Sequence, residues 1–155
     1  AAQAALYHFY GVKKHLMDKK LFGVFKHKVN DPTFPLFRGF DDIFYAPHSR
    51  HTTLDKKEIN QITDLTILSE SDEAGVYIIS SRGGREFYVT GHSEYSPLTL
   101  HNEYTRDKSK KLKNVEMPKN YYPNDDLTQP PLVLWRSHAN LLYINWLKRG
   151  STSRC

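Results

Sequence analysis

Two runs rich in β-branched and aromatic residues, Val76-Tyr77-Ile78-Ile79-Ser80 and Glu86-Phe87-Tyr88-Val89-Thr90, bracket Ser81-Arg82-Gly83-Gly84-Arg85. This pattern constrains the fold more than any other. It calls for two strands joined by a tight, glycine-dependent turn, and therefore for some antiparallel pairing. The second run stops at Gly91. His92 follows at once, with Glu94 two residues later. A glycine permits a sharp exit from a strand, and open α/β sheets carry their sites at the carboxyl ends of strands. His92 is a candidate general base, and Glu94 could orient its ring and stabilise the imidazolium. A nucleophile for the pair is missing.

Elsewhere helical and strand patterns alternate. Residues 1–10 are alanine-rich and read as a helix stopped by Gly11. The stretch 12–20 is polar and lysine-rich and reads as a loop or short element. Residues 21–29 read as a strand broken by Asn30-Asp31-Pro32. Ile43 to Pro47 is a short apolar piece ended by proline. Thr53 is the expected N-cap of a helix starting near Leu54. Residues 65–69 form another strand candidate. Pro97 suits the start of a helix reaching about Lys108. Residues 114–131 hold Pro118, Pro123, Pro130 and Pro131 and form a long loop of the kind that is commonly functional. A last helix runs from about Trp135 to Lys148, with Gly150 as its stop. The alternation predicts an α/β sheet with flanking helices. The expected organisation is a single domain over residues 1–148 and a tail over 149–155.

Composition excludes several classes. The chain has 155 residues, 39% of them hydrophobic, enough for one core. A net charge of +5 raises nucleic acid as a partner. The lysine clusters are separated by acidic residues and read as solvated faces, so no nucleic-acid partner is expected. No apolar run approaches the roughly 20 residues of a membrane span, so no membrane association is expected. The one cysteine, Cys155, stands in a polar tail without a strand-to-helix elbow. It is not the expected nucleophile, and its isolation suits a cytoplasmic location. His48, His51, His92 and His101 do not complete a compact ligand set, so no metal is expected. The first residues enter a helix with no methionine and no cap, which points to a longer parent chain.

Six segments together resemble the homoserine O-acyltransferases of the homoserine O-succinyltransferase type. They are Arg38-Gly39-Phe40-Asp41-Asp42, Pro47-His48-Ser49-Arg50, Val89-Thr90-Gly91-His92-Ser93-Glu94-Tyr95, Glu103-Tyr104-Thr105-Arg106-Asp107, Asn120-Tyr121-Tyr122-Pro123 and Trp135-Arg136-Ser137-His138. They occur in family order and cover the chain to about Leu147. After Leu147 the sequence departs from the family, whose usual ending is aromatic.

The resemblance implies a class I glutamine amidotransferase-like (flavodoxin-like) α/β fold, of which this chain would be the C-terminal half. It implies a Cys-His-Glu triad with His92 and Glu94 as two members. The cysteine would stand about two residues before Ala1, on an N-terminal half, because Ala1 to Tyr7 resembles the helix that follows it. Lys20, Ser49 and Arg106 match substrate-binding positions. The implied reaction is ping-pong transfer of an acetyl or succinyl group from acyl-CoA, a co-substrate, to homoserine in methionine biosynthesis. It needs no further cofactor, and the implied assembly is a homodimer. A serine acceptor is the near alternative. A non-catalytic subunit that needs a partner chain bearing the cysteine is the distant one.

Overall fold

The longest element is a strand, β1 (Lys14–Val29), which is antiparallel to β2 (Ile43–Leu54) along most of its length. The structure, a computed structural model, describes residues 1–81 and 83–151. At its far end β1 pairs through Lys28 and Val29 with β3 (Thr66–Ser71). β3 pairs with β4 (Gly75–Ser81), and β4 with β5 (Glu86–Val89). The strand order is therefore β2-β1-β3-β4-β5, and every ladder between named strands is antiparallel. The two runs around Gly83-Gly84 form the expected adjacent pair, with Ile78 opposite Val89. Arg82, within their connection, lies outside the described residues.

Among the described residues four α-helices flank the sheet: α1 (Ala2–Tyr10), α2 (Lys56–Asn60), α3 (Thr99–Ser109) and α4 (Arg136–Ser151). α1 ends as its sequence predicts. Gly11 adopts φ 71°, and its N–H donates to Tyr7 C=O. Leu6 of α1 is fully buried against Val12, Leu54, Ile59 and Ile79. A second cluster of Leu36, Phe37, Phe44, Ala46, Leu68, Tyr77 and Ile78 fills the space between β2 and β4. Burying one such apolar side chain contributes about 1.5–3 kcal/mol. Asn145 ties α4 to this layer by donating to the carbonyls of Leu36 and Arg38. Among the described residues no helix is long and apolar enough to cross a membrane.

Five expectations change. The lysine-rich stretch from Lys14 belongs to the long strand β1 rather than to a loop or short element. Its side chains are mostly exposed while its backbone stays paired, Lys14 with Leu54 and Leu16 with Thr52. The register then shifts before Leu21 pairs with Arg50, so residues 17–20 bulge opposite His51. β2 does not stop at Pro47. Its ladder partner Val24 directs its N–H to Lys119 and accepts from Asn120, so a missing N–H at Pro47 breaks no bond between the strands. β2 is also an edge strand, where proline is tolerated. Thr53 stays in β2, and Asp55 caps α2 instead by accepting from Lys57 N–H at 2.8 Å. α3 starts at Thr99, two residues beyond Pro97, and α4 continues through Gly150 to Ser151. The rest of the expected tail, residues 152–155 with Cys155, lies outside the described residues.

The long loop is anchored despite having little regular structure. Lys119 N–H donates to Phe22 C=O at 3.0 Å, and Val24 N–H donates to Lys119 C=O at 2.9 Å. Gly23 makes this approach possible, since a Cβ there would lie 2.5 Å from Lys119 N and O. Tyr121 and Trp135, both fully buried or nearly so, join Phe22, Val24 and Leu100 in a third cluster. Gly23→Ala is expected to lower the unfolding free energy by about 1–3 kcal/mol, the usual cost of overpacking. Chemical denaturation of the purified protein checks this, and an unchanged midpoint would contradict it.

Candidate active site

The turn after β5 is held residue by residue. Thr90 N–H donates to Tyr77 C=O at 2.9 Å, and its hydroxyl donates to Val76 C=O at 2.8 Å. His92 N–H donates to Pro47 C=O at 2.8 Å. The hydroxyls of Tyr77 and Ser93 are hydrogen-bonded. Burial pushes the Tyr77 phenol up to about 12, so it stays protonated and keeps that bond. Gly91 is required here for a different reason from the one its position after a strand suggests. It is not among the glycines with positive φ. A Cβ on it would lie 2.7 Å from Tyr77 Cε2 and 2.9 Å from both His48 Cε1 and Pro47 O. The turn lies flat on its neighbours, and only glycine is thin enough.

The His92 ring is fixed from two sides. Its Nδ1 lies 2.9 Å from Glu94 Oε1, and its plane stacks on Tyr95 at 4.5 Å with an interplanar angle of 3°. A carboxylate only accepts, so Nδ1 carries the hydrogen and Nε2 of the neutral ring is the basic atom. Glu94 is 71% exposed in its side chain, so the pair is worth little to stability, and its effect is on orientation. Burial first, then the charges of Glu103 and Glu94, push the Tyr95 phenol up to about 12, so the stacking surface stays neutral. The His92 ring is thus held in one orientation by Glu94 and Tyr95. Among the described residues no hydroxyl or thiol is hydrogen-bonded to its Nε2.

A second group assembles on α3. Glu103 Oε1 accepts from Lys20 Nζ at 2.6 Å and from Ser49 Oγ at 2.7 Å. Arg106 Nη2 lies 3.9 Å from the same oxygen and 2.8 Å from Asp107 Oδ1. Lys20 Nζ also approaches Asp107 Oδ2 at 3.6 Å and sits over the Phe22 ring. The hydrogen bond from Arg106 holds the Asp107 carboxyl below its ordinary range. Lys20 from the β1 bulge, Ser49 from β2 and Arg106 from α3 therefore meet at one carboxylate. Sequence reasoning picked the three but missed Glu103, their common partner, and Asp107. Helical spacing could have found both, because positions 103, 106 and 107 share a helix face.

Two hollows adjoin these groups. A cavity of about 950 Å³ is lined by His92, Glu94, Ser49, Ala1 and residues 2–4 of α1, and Tyr143 and Trp146 of α4. A smaller cleft of about 550 Å³ is lined by Ser49, Tyr95, Thr99, Asn102, Glu103 and Arg106. Ser49 and Tyr95 line both. Lys20 lines neither and reaches the cleft through Glu103. Among the described residues no group of three or more His, Cys, Asp or Glu is placed to hold a metal. A base at one end and an ordered guanidinium and carboxylate at the other suit proton abstraction from a small zwitterion.

Comparison with known proteins agrees in fold and in sequence. A family model described as homoserine O-succinyltransferase matches residues 1–152. A homoserine O-acetyltransferase of Bacteroides fragilis is 63% identical over 147 residues, 95% of this chain and 48% of that protein. One from Acetivibrio thermocellus is 58% identical over 146 residues, 94% of this chain and 48% of that protein. The chain thus spans about half the length of the curated relatives it matches. Among solved structures, a glutamine amidotransferase from Thermotoga maritima superposes with a TM-score of 0.60 at 15% identity, over 95% of this chain and 58% of that one. A glutamine amidotransferase from Methylobacillus flagellatus gives 0.61 at 11%, over 96% of this chain and 59% of that one. These likenesses establish a glutamine amidotransferase-like α/β fold, here carrying an antiparallel sheet.

Gly91→Ala is expected to displace the turn, costing about 1–3 kcal/mol of stability. It should also weaken the hydrogen bond from His92 Nδ1–H to Glu94, read as an upfield shift of that proton by NMR. An alanine variant with the proton and the unfolding midpoint unchanged would contradict the close packing.

Proposed function

The chain belongs to the homoserine O-succinyltransferase family, and from that premise we propose that its parent protein transfers an acyl group from acyl-CoA to the side-chain hydroxyl of L-homoserine. The observation that supports this most is the pairing of one oriented base, His92, with a cleft holding both a guanidinium and a carboxylate. A free amino acid carries the complementary charges. Arg106 takes its carboxylate by a two-pronged ion pair, and Glu103 takes its ammonium. Ser49 and Lys20 hold Glu103 in place, and Ser49 also faces the larger cavity where the acyl donor would enter.

The nucleophile in this account is a cysteine on the polypeptide preceding Ala1. Residues 1–4 line the same cavity as His92, which favours an approach from that side. The thiol loses its proton to His92, and its sulfur attacks the thioester carbonyl of acyl-CoA. The carbon–sulfur bond to CoA breaks, and the leaving thiolate takes the proton from the imidazolium. Homoserine then enters. His92 Nε2 removes the hydroxyl proton while the oxygen attacks the acyl carbon, and the cysteine sulfur leaves with the pair of electrons it had shared. Glu94 stabilises the imidazolium in both halves. Backbone N–H groups at the cysteine elbow would receive the oxyanion of each tetrahedral intermediate.

The names of relatives at 58–63% identity favour acetyl as the group transferred. The family description favours succinyl. We place acetyl first. Serine would be a poor acceptor, since losing one methylene withdraws the hydroxyl from the base, and a misplacement of about 1 Å can cost about 10²-fold.

The full-length protein, assayed with acetyl-CoA and succinyl-CoA, is expected to form O-acetylhomoserine preferentially. His92→Ala should lower kcat by about 10²–10⁴-fold with the circular dichroism spectrum unchanged. Arg106→Lys should raise KM for homoserine more than it changes kcat. Full activity in folded His92→Ala would refute the base assignment.

A further inference from the structure

Beneath the Gly91 turn lie two histidines that the chemistry above does not use. His27 of β1 is 1% exposed, and His48 of β2 is 0% exposed. Their Nε2 atoms are 2.9 Å apart. Two imidazoles can share such a contact only if one nitrogen carries a hydrogen and the other does not. The surroundings decide which. His27 Nδ1 lies 2.8 Å from Phe25 O, a carbonyl that can only accept. His27 therefore carries its hydrogen on Nδ1, and its Nε2 accepts. His48 must then carry its hydrogen on Nε2, which leaves Nδ1 as an acceptor. Arg50 Nε–H donates to that atom at 3.5 Å, a long bond. The guanidinium is held there because its other nitrogens donate to Thr52 and Ala74 carbonyls. Donation thus runs one way, from Arg50 through His48 and His27 to Phe25.

A second proton on His27 would set two N–H groups against each other across 2.9 Å, and one on His48 would set Nδ1–H against Arg50 Nε–H. Burial is also the main force keeping both rings neutral, with Arg50 acting in the same direction. It lowers the His27 imidazole to about 4 and the His48 imidazole well below the ordinary range. The titratable and charged groups facing the pair are Arg50, His92 and Tyr77. The rings are clamped as well. His27 stacks on Phe44 at 5.5 Å and packs on Tyr77 at 4.5 Å, and His48 meets the edges of Phe25 and Tyr77.

This clamped ring touches the catalytic turn. His48 Cε1 forms part of the surface on which Gly91 lies, and the carbonyl that receives His92 N–H belongs to the preceding residue, Pro47. We propose that His48, fixed in plane and tautomer by His27 and Arg50, is a positioning residue for His92. An apolar side chain of similar size would fill the volume but would not fix the plane. A neutral ring also suits the reaction, because a second cation beside His92 would oppose the imidazolium formed in each half-reaction. The proposal rests on His92 acting as the base.

Histidine-selective ¹⁵N NMR on the full-length enzyme reads the tautomers without substrate. His27 is expected as the Nδ1–H form and His48 as the Nε2–H form, with neither titrating between about pH 5.5 and 8. Kinetics read the positioning. His48→Leu should lower kcat by about 10²-fold per folded enzyme, with KM for homoserine changed less than about twofold, the pattern of a misplaced base. His48→Gln keeps an N–H for His27 and should retain most of kcat. Should His48→Leu fail to fold, the tautomers and the glutamine variant decide the matter. Opposite tautomers, or a folded leucine variant with wild-type kcat, would overturn the proposal. A wild-type enzyme that acylates no homoserine counts against the reaction instead, and the NMR arm separates the two failures.

Discussion

A backbone amide at the end of a strand needs an acceptor, and the one that takes His92 N–H is Pro47 C=O, 2.8 Å away. That bond depends on a series of others. Pro47 lies opposite Val24, whose own N–H and C=O are engaged by Lys119 and Asn120. Lys119 can lie there only because residue 23 is glycine. The irregular segment 114–131, β1, β2 and the histidine turn are therefore coupled through close backbone approaches. Trp135 extends the coupling by donating from Nε1 to Tyr95 C=O at 3.0 Å, just past the turn. Loops that position a site on a rigid scaffold commonly work this way.

The two sides of the site use opposite electrostatic strategies. On the sheet side, His27, His48 and Tyr77 are buried and neutral, and the partners of the two histidines fix the donor at each of their contacts. On the α3 side, Lys20 and Arg106 balance Glu103 and Asp107 at short range. A balanced quartet accepts a zwitterion without changing its net charge, whereas an isolated cation would favour simple anions. For the proposed reaction, the neutral floor would keep His92 free of competing charge, and the charged wall would orient the substrate. Ser49, between them, lines both the smaller cleft and the larger cavity.

Much of this was legible in the sequence, and the exceptions have physical causes. The Gly83-Gly84 hairpin, the α1 stop at Gly11 and the His92–Glu94 pair follow from local chemistry, which sequence displays. The lysine-rich start of β1 did not read as strand because propensity reports side chains, while its pairing is a backbone matter. Pro47 looked like a strand end because the bonds that make it harmless come from Lys119 and Asn120, far along the chain. Lys20, Ser49 and Arg106 were recognised only through family resemblance. Arg106 and Glu103 share a helix face, but the arrival of Lys20 and Ser49 at Glu103 is long-range, and no local pattern encodes it. His27 escaped notice for the same reason, since its partner His48 lies on the neighbouring strand.

The central claim is that one turn, seated on Pro47, Tyr77 and His48, holds a base against an amino acid gripped by Arg106 and Glu103. A crystal structure of the full-length protein with bound homoserine tests this most directly. The account predicts the substrate carboxylate on Arg106, its ammonium at Glu103, and its hydroxyl oxygen within about 2.6–3.2 Å of His92 Nε2. Homoserine bound elsewhere, or bound in the cleft with its hydroxyl turned away from His92, would contradict it.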